Sequence, residues 1–259
     1  TTGESFLQIP IHVAKAGNIP DAHPVSGGIP FPYGLLKSTT SFQLRTSDRD
    51  ELPLQIRPLG FWEDGSVKWI LFDTQLLNHA EEKRLFLEVH STPPPKPTSP
   101  LQVTQDAERF TVATGPLRFS VNKTRFTLFD EAFLDLNSDG QFSEEEKVAG
   151  GGDLLIRHKG EEYRSSLSSD YTVALEEYGP LRATLKASGW FRNQKGERFC
   201  QYVVRIQAFS GKSDVRLYHT FIYTGYPENL YHHEYQNVKL PENETIEEIT
   251  VEGNFPLKG

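Results

Sequence analysis

The chain has 259 residues, 37% of them hydrophobic, which is enough for one large domain or two of ordinary size. Its formal net charge is -8 and its basic residues are scattered, which argues against nucleic acid as a partner because phosphate contacts need clustered Lys and Arg. No apolar run approaches the roughly 20 residues of a membrane helix. A lone Cys200 excludes an internal disulfide.

The N-terminal third consists of short segments in which apolar and polar residues alternate between Gly, Pro or Asp turns. This pattern is typical of a small barrel or sandwich. The run from Pro24 to Gly34 breaks the pattern, and we interpret it as a stiff, packed crossing because no helix follows its glycines. The predicted strands are Phe6 to Val13, Ser41 to Leu44, Leu52 to Arg57, Val67 to Leu71 and Arg84 to Val89.

Two tryptophans, Trp62 and Trp69, flank a predicted turn at Asp64-Gly65. Their ring faces are suited to stacking on the C–H groups of a sugar. Core packing is the favoured interpretation, because Trp is highly buried on average.

A proline-rich segment follows these strands, with five prolines between Pro93 and Pro100. Proline cannot donate to a strand ladder and stiffens an extended chain. The sequence therefore predicts a domain over 1–92, a linker over 93–100 and a second domain over 101–259.

The second domain carries longer β-patterned segments, several of about ten residues, which suit a two-sheet sandwich. The fold class predicted for the whole chain is all-β. The predicted strands are Leu101 to Thr104, Arg109 to Ala113, Leu117 to Asn122, Asp153 to Arg157, Thr172 to Glu177, Arg182 to Phe191, Arg198 to Ala208 and Asp214 to Tyr223.

Residues 135–146 match an EF-hand-like calcium loop and predict one bound Ca²⁺ ion. Each constrained position carries a suitable residue, and the alternative is a solvated acidic turn between strands. Asp135, Asn137 and Asp139 offer side-chain oxygens at positions 1, 3 and 5, Gly140 turns at position 6, Gln141 offers its carbonyl at position 7, Ser143 can hold a water at position 9, and Glu146 closes the shell at position 12.

The ion is predicted to be structural rather than regulatory. A short helical turn is expected over Glu144 to Val148, but the glycines Gly150 to Gly152 oppose the exiting helix of a sensor, and no second loop is present to pair with it. An unpaired loop of low affinity fills only where calcium is abundant. The expected location is therefore secreted, extracellular or periplasmic.

Two further clusters carry groups capable of chemistry. Tyr218 with Arg216 or Arg205 offers a base and a cation for β-elimination, yet a solvent-facing sheet surface is the favoured interpretation, with His219 on the core side. The run Tyr231-His232-His233-Glu234-Tyr235 has zinc-capable groups. Adjacent strand positions point to opposite faces, so one zinc shell there is unfavourable.

Five motifs taken in order resemble the exo-rhamnogalacturonan lyase/YetA-like family. The resemblance implies a RIFT-type barrel at the N-terminus and a central β-sandwich after it. It also implies that lyase chemistry is found in proteins that continue past the sandwich into a large helical toroid, so no catalytic residue is carried over to this chain. The motifs are Gly27 to Gly34, Trp62 to Trp69, Leu128 to Asp130 leading into the calcium loop, Glu177 to Ala183, and Val215 to Phe221.

These observations predict a secreted, calcium-binding, carbohydrate-associated scaffold related to the non-catalytic part of polysaccharide lyases. Polysaccharide is the expected partner, and catalysis is expected only with a downstream domain. The first alternative is a non-catalytic extracellular structural protein that assembles into polymers by strand pairing, with Thr1 to Val13 as a candidate donor strand. The second is a pure glycan-binding module, which would bind sugar without turnover.

Overall fold

The computed structural model describes residues 7–14, 22–37, 41–76, 83–90, 98–224 and 246–255. These residues form β-strands and two short 3-10 helices, Glu144–Glu146 and Ser165–Leu167, so the predicted all-β class is confirmed. Internal contacts divide the chain into a first unit, residues 1–99 with Gly179–Arg182, and a second unit with the remainder. Most of the predicted linker, residues 93–97, lies outside the described residues.

The first unit contains seven described strands in two antiparallel sheets. One sheet has the order β1-β7-β3-β4 and the other has the order β2-β6-β5. The strands are β1 (Leu7–Val13), β2 (His23–Pro30), β3 (Ser41–Thr46), β4 (Glu51–Leu52), β5 (Leu54–Phe61), β6 (Val67–Leu76) and β7 (Lys83–His90).

Both sheets of the first unit pack onto one apolar core. Alternate residues of β7 are fully buried, as a strand with one face inward requires: Leu85, Leu87 and Val89 are at most 1% exposed. Leu44 of β3 and Ile70 of β6 meet them from the two sheets.

The expected crossing at Pro24 to Gly34 is wrong over its first part, because residues 23–30 form β2 and pair with β6 along their whole length. Prolines are tolerated there because β2 is an edge strand, where a missing N–H breaks no ladder bond. Glycine is required at Gly28, since an added Cβ would lie 2.6 Å from the indole Nε1 of Trp69.

The second unit contains twelve described strands in two sheets. A five-stranded sheet has the order β12-β11-β10-β9-β8, and a seven-stranded sheet has the order β18-β17-β16-β14-β13-β19, with β15 also paired to β16. The strands are β8 (Gln102–Gln105), β9 (Arg109–Ala113), β10 (Leu117–Asn122), β11 (Glu131–Leu134), β12 (Lys147–Ala149), β13 (Gly152–His158), β14 (Glu161–Arg164), β15 (Thr172–Tyr178), β16 (Arg182–Arg192), β17 (Arg198–Phe209), β18 (Val215–Ile222) and β19 (Ile246–Gly253).

A single core joins the two sheets of the second unit, as expected for a sandwich. Buried rings dominate it: Tyr202 lies 5.2 Å from both Phe126 and Phe191 between ring centroids, in edge-to-face geometry. Such aromatic pairs add about 0.5–1.5 kcal/mol beyond the area they bury. The loop at 135–146 connects β11 to β12, so paired strands fix both of its ends.

Candidate functional site

Side-chain oxygens of the predicted calcium loop, residues 135–146, accept backbone N–H groups from residues 139–141. Asp135 accepts from the N–H of Asp139 through Oδ1 (3.1 Å) and from the N–H of Gly140 through Oδ2 (2.9 Å). Asn137 Oδ1 also accepts from Asp139 N–H, at 2.9 Å, and Asp139 Oδ1 accepts from Gln141 N–H, at 2.8 Å. Gly140 has φ +75°, which is the sharp turn predicted for position 6. These hydrogen bonds fold the backbone of the loop around the side chains of Asp135, Asn137 and Asp139.

Glu146 ties the end of the loop to its beginning. Its Oε1 accepts from the N–H of Leu136 (3.0 Å), and its Oε2 accepts from the N–H (2.9 Å) and the hydroxyl (3.0 Å) of Ser143. The side chain is buried, with the residue 6% exposed. Hydrogen bonds from the Ser143 N–H, the Ser143 hydroxyl and the Leu136 N–H outweigh the opposing effect of burial and lower the pKa of Glu146. Glu146 is therefore an ionised carboxylate at neutral pH.

The other predicted ligands differ from Glu146 in exposure. Asp135 is half-buried, whereas Asn137, Asp139 and Gln141 are exposed. Within the part of the chain that is described, no three His, Cys, Asp or Glu side chains come together closely enough to hold a metal ion. The loop keeps its acceptors on one short segment, and its carboxylate oxygens are shared with backbone N–H groups.

An aromatic side chain anchors the loop to the neighbouring sheet. The guanidinium of Arg118, on β10, lies 4.7 Å from the ring centroid of Phe142 and 4.6 Å from that of Phe133. Cation–π contacts of this kind contribute about 0.5–1 kcal/mol at exposed sites. Phe142 is the apolar position 8 of the predicted loop, so its role here is attachment.

One of the two cations considered for β-elimination, Arg205, is engaged by a carboxylate, and the other, Arg216, lies 4.8 Å from the ring centroid of Phe209. Tyr218 stands opposite Arg205 in the β17–β18 register. Arg205 is held by both oxygens of Glu176, at 2.6 Å from Nε and 2.8 Å from Nη2, so its charge is already paired. His219 lies opposite Val204, a fully buried residue, and burial lowers the pKa of His219. The arrangement is that of a strand with a salt-bridged outer face and a packed inner face.

The two tryptophans of the first unit that were expected to pack in the core, Trp62 and Trp69, are not fully buried. Trp69 is 41% exposed and Trp62 is half-buried, so core packing is the wrong expectation for Trp69. The sequence interpretation also missed Tyr33, whose side chain is 63% exposed beside Trp62. Its signal was a Pro-Tyr-Gly run, which is typical of an exposed turn.

The run from Tyr231 to Tyr235, considered for zinc, lies outside the described residues. Among the residues that are described, no helix has both the length and the apolar character needed to cross a membrane.

Comparison with known proteins identifies both units. The PcRGLX-like N-terminal RIFT barrel domain matches residues 12–84, and the PcRGLX-like protein central β-sandwich domain matches residues 101–231. The uncharacterized protein YetA of Bacillus subtilis (strain 168) is 28% identical over 211 residues. That match covers 76% of this chain and 23% of YetA, so the chain spans less than a quarter of that relative's length. The resemblance seen in the sequence motifs is confirmed, and the chain belongs to the PcRGLX-like family, with a RIFT barrel domain followed by the central β-sandwich domain.

Proposed function

We propose that this chain is an extracellular or periplasmic scaffold that associates with polysaccharide and is stiffened by one Ca²⁺ ion in the calcium loop. Family membership supports the association with polysaccharide, through the resemblance to exo-rhamnogalacturonan lyases. The twelve-residue loop supports the metal.

The observation that carries the metal proposal is the state of Glu146. A buried, ionised carboxylate at position 12 joins the two ends of the loop, and a hard dication is the partner that such a group favours. Each carboxylate oxygen has two lone pairs, so an oxygen that accepts one N–H group, as each oxygen of Asp135 does, can also bind an ion. The proposed ligands are Asp135, Asn137, Asp139, Gln141 through its carbonyl, and Glu146.

The location follows from the expected affinity. Single extracellular calcium modules bind in the range of about 10⁻⁴ to 10⁻³ M, which is far above cytosolic calcium. The proposal therefore places the protein where calcium is millimolar, and the ion acts as a staple between β11 and β12.

A melting experiment tests the staple. Thermal unfolding is followed by circular dichroism in CaCl₂ and in excess chelator. A ligand at 100 times its Kd stabilises the folded state by about 2.7 kcal/mol, which raises Tm by roughly 5–10 °C for a domain of this size. An unchanged Tm of the wild-type protein in the two buffers contradicts calcium binding.

Variants locate the ion within the loop. Asp135→Ala and Glu146→Ala are expected to abolish the calcium-dependent rise in Tm. Glu144→Gln is the matched control, because Glu144 is an exposed acid of the same segment that stands at no ligand position. Loss of the rise in the Glu144 variant alone contradicts the assigned ligands.

Catalysis is not part of the proposed role of this chain. Among the described residues, Arg205, one of the two cations considered for a lyase site beside Arg216, is engaged by Glu176. Incubation with rhamnogalacturonan, followed by ultraviolet absorbance of unsaturated uronide products, is expected to show no turnover. Steady product formation contradicts a scaffold role.

A second candidate, assembly into polymers, is favoured by the sheet edges of the second unit. In the described strand order, β18 and β19 stand at the two ends of the seven-stranded sheet. Apolar side chains on both are exposed: Phe221 is 37%, Ile222 43%, Ile249 43% and Val251 44% exposed. Exposed apolar edge strands are templates for pairing with another chain.

The donor strand expected at Thr1 to Val13 fits this candidate less well. Residues 7–13 form β1 and already pair with β7 along their full length. Sedimentation velocity over a range of concentrations separates the two candidates: a monomer at all concentrations supports the scaffold, and concentration-dependent fibres or rings support assembly.

A further inference from the structure

Hydrogen bonds tie the segment that follows β2, which contains Tyr33, to the loop that joins β5 to β6, which contains Trp62, and to the first residues of β6. The bonds give these two rings a fixed spacing on the surface. They run from the Phe31 N–H to the Lys68 carbonyl (2.9 Å), from the Val67 N–H to the Leu36 carbonyl (2.9 Å) and from the Gly34 N–H to the Ser66 hydroxyl (2.9 Å).

Asp64 closes the turn that carries Trp62. Its Oδ1 accepts from the Ser66 hydroxyl at 2.6 Å and from the Ser66 N–H at 3.0 Å. These bonds, the hydroxyl bond first, lower the pKa of Asp64 and keep it ionised at neutral pH. The Trp62 N–H donates to the Ser66 carbonyl at 2.8 Å. These hydrogen bonds therefore fix the conformation of the turn in the absence of a ligand.

The Trp62 ring is held in place, and the Tyr33 ring beside it is exposed. The indole Nε1–H of Trp62 donates to the Phe31 carbonyl at 3.0 Å, which fixes the orientation of the ring. The Tyr33 ring stands at 62° to it with 6.0 Å between centroids, and Tyr33 is 63% exposed. Lys68 Nζ lies 4.4 Å from the Trp62 centroid. Tyr33, Trp62 and Lys68 are called the aromatic platform below.

We propose that the aromatic platform binds the face of a neutral pyranose residue in a polysaccharide. This inference rests on the proposed association with polysaccharide and gives it a location and a sugar class. The apolar C–H face of a pyranose stacks on an aromatic ring, while its hydroxyl groups take hydrogen bonds from the Lys68 ammonium and the Tyr33 phenol.

Rigidity makes this surface a good binding site. Tyr and Trp supply a large contact area with only two side-chain torsions each, so little conformational entropy is lost on binding. The hydrogen bonds through Ser66 and Asp64 order the loops in advance, which lowers the cost of association.

The charges of these loops favour a neutral sugar over a uronate. Lys37 and Lys68 contribute two positive charges. Glu63 and Asp64 contribute two negative charges, so these segments have no net charge. The chain as a whole carries -8. A carboxylate on the sugar would therefore gain no net local attraction and would meet the negative charge of the whole chain.

Calorimetric titration with defined oligosaccharides tests the proposal. The probes are 1,4-linked tetrasaccharides of glucose, galactose and mannose, with tetragalacturonate as the acidic counterpart. At least one neutral probe is expected to bind more tightly than tetragalacturonate. Tyr33→Ala is expected to weaken that binding about tenfold, the change that corresponds to 1.4 kcal/mol.

Trp69→Ala is the matched control, because Trp69 is an exposed tryptophan of the same unit outside the platform. It is expected to bind as the wild-type protein does, and circular dichroism melts verify that both variants are folded. Wild-type binding that survives Tyr33→Ala, or binding of tetragalacturonate alone, overturns the platform but leaves the proposed function standing. Absence of binding to every probe overturns both.

Discussion

The predicted calcium loop and the aromatic platform share one arrangement of hydrogen bonds but expose different groups. The loop exposes carboxylate and amide oxygens, whereas the platform exposes aromatic rings and an ammonium. In each, a carboxylate accepts both the N–H and the hydroxyl of one serine: Glu146 from Ser143, and Asp64 from Ser66. Both carboxylates have a lowered pKa for this reason. This arrangement rigidifies a loop, and the side chains around it decide what the loop can bind.

The difference lies in what each carboxylate spans. Glu146 is buried and reaches Leu136, ten residues earlier, so it closes the whole loop. Asp64 is exposed and closes only its own turn. We therefore expect the hydrogen bonds of Glu146 to contribute to the free energy of unfolding of the domain. Those of Asp64 are expected to order only the turn that contains them.

Paired substitutions give the largest expected effect. Glu146→Gln replaces an acceptor oxygen by an amide that carries its own hydrogens, so a donor among Leu136 N–H, Ser143 N–H and the Ser143 hydroxyl loses its partner. Asp64→Asn makes the same chemical change at an exposed turn. Thermal melts in chelator are expected to show a clear fall in Tm for Glu146→Gln and a small one for Asp64→Asn. The reverse order contradicts the comparison.

Low pH is expected to remove the difference in Tm between the wild-type protein and the Glu146→Gln variant. The folded-state pKa of Glu146 is lowered, so its stabilisation is present above the unfolded-state pKa and is lost as pH falls through the folded-state value. The Tm difference between the two proteins should be full at neutral pH and shrink as pH falls below the ordinary range of a glutamate. A difference that stays constant down to the acid limit contradicts an ionised Glu146.

The sequence predicted the class, the modules and the long strands, because those depend on local pattern. β9 and β10 begin and end at the predicted residues, 109–113 and 117–122. β2 was missed because prolines and glycines argue against a strand unless its edge position is known. β14 was missed because four residues with one buried side chain, Tyr163, carry no period.

The two candidate sites also differ in how far a local sequence pattern predicts them. The calcium loop is a contiguous run of twelve residues, so its pattern is visible in the sequence alone. The aromatic platform joins Tyr33 to Trp62 through the pairing of β2 with β6, which sets which residues stand side by side. Sequence patterns do not define such a register, and the platform required the structure.

Loosening the attachment of the calcium loop is expected to have a moderate effect. Phe142→Ala removes the ring over which Arg118 lies, 4.7 Å from its centroid. A cation–π contact is worth about 0.5–1 kcal/mol, which sets the upper limit of the effect, so calcium affinity should fall by at most roughly two- to fivefold. Calorimetric titration with CaCl₂ measures it, and Phe142→Tyr, which keeps the ring, serves as the control. An unchanged affinity for Phe142→Ala means that the anchor does not order the ligands.

The smallest expected effect concerns the cation of the aromatic platform. Lys68→Ala removes the ammonium that lies 4.4 Å from the Trp62 centroid. The ammonium is proposed to donate a hydrogen bond to a sugar hydroxyl, which at the low end contributes about 0.5 kcal/mol, so affinity for the neutral tetrasaccharide should fall roughly two- to threefold. Lys68→Arg keeps the charge and should retain most of the affinity. A variant Lys68→Ala that loses binding to tetragalacturonate selectively would show that the ammonium selects an acidic sugar, because the stacking rings are unchanged while the only altered group is the cation.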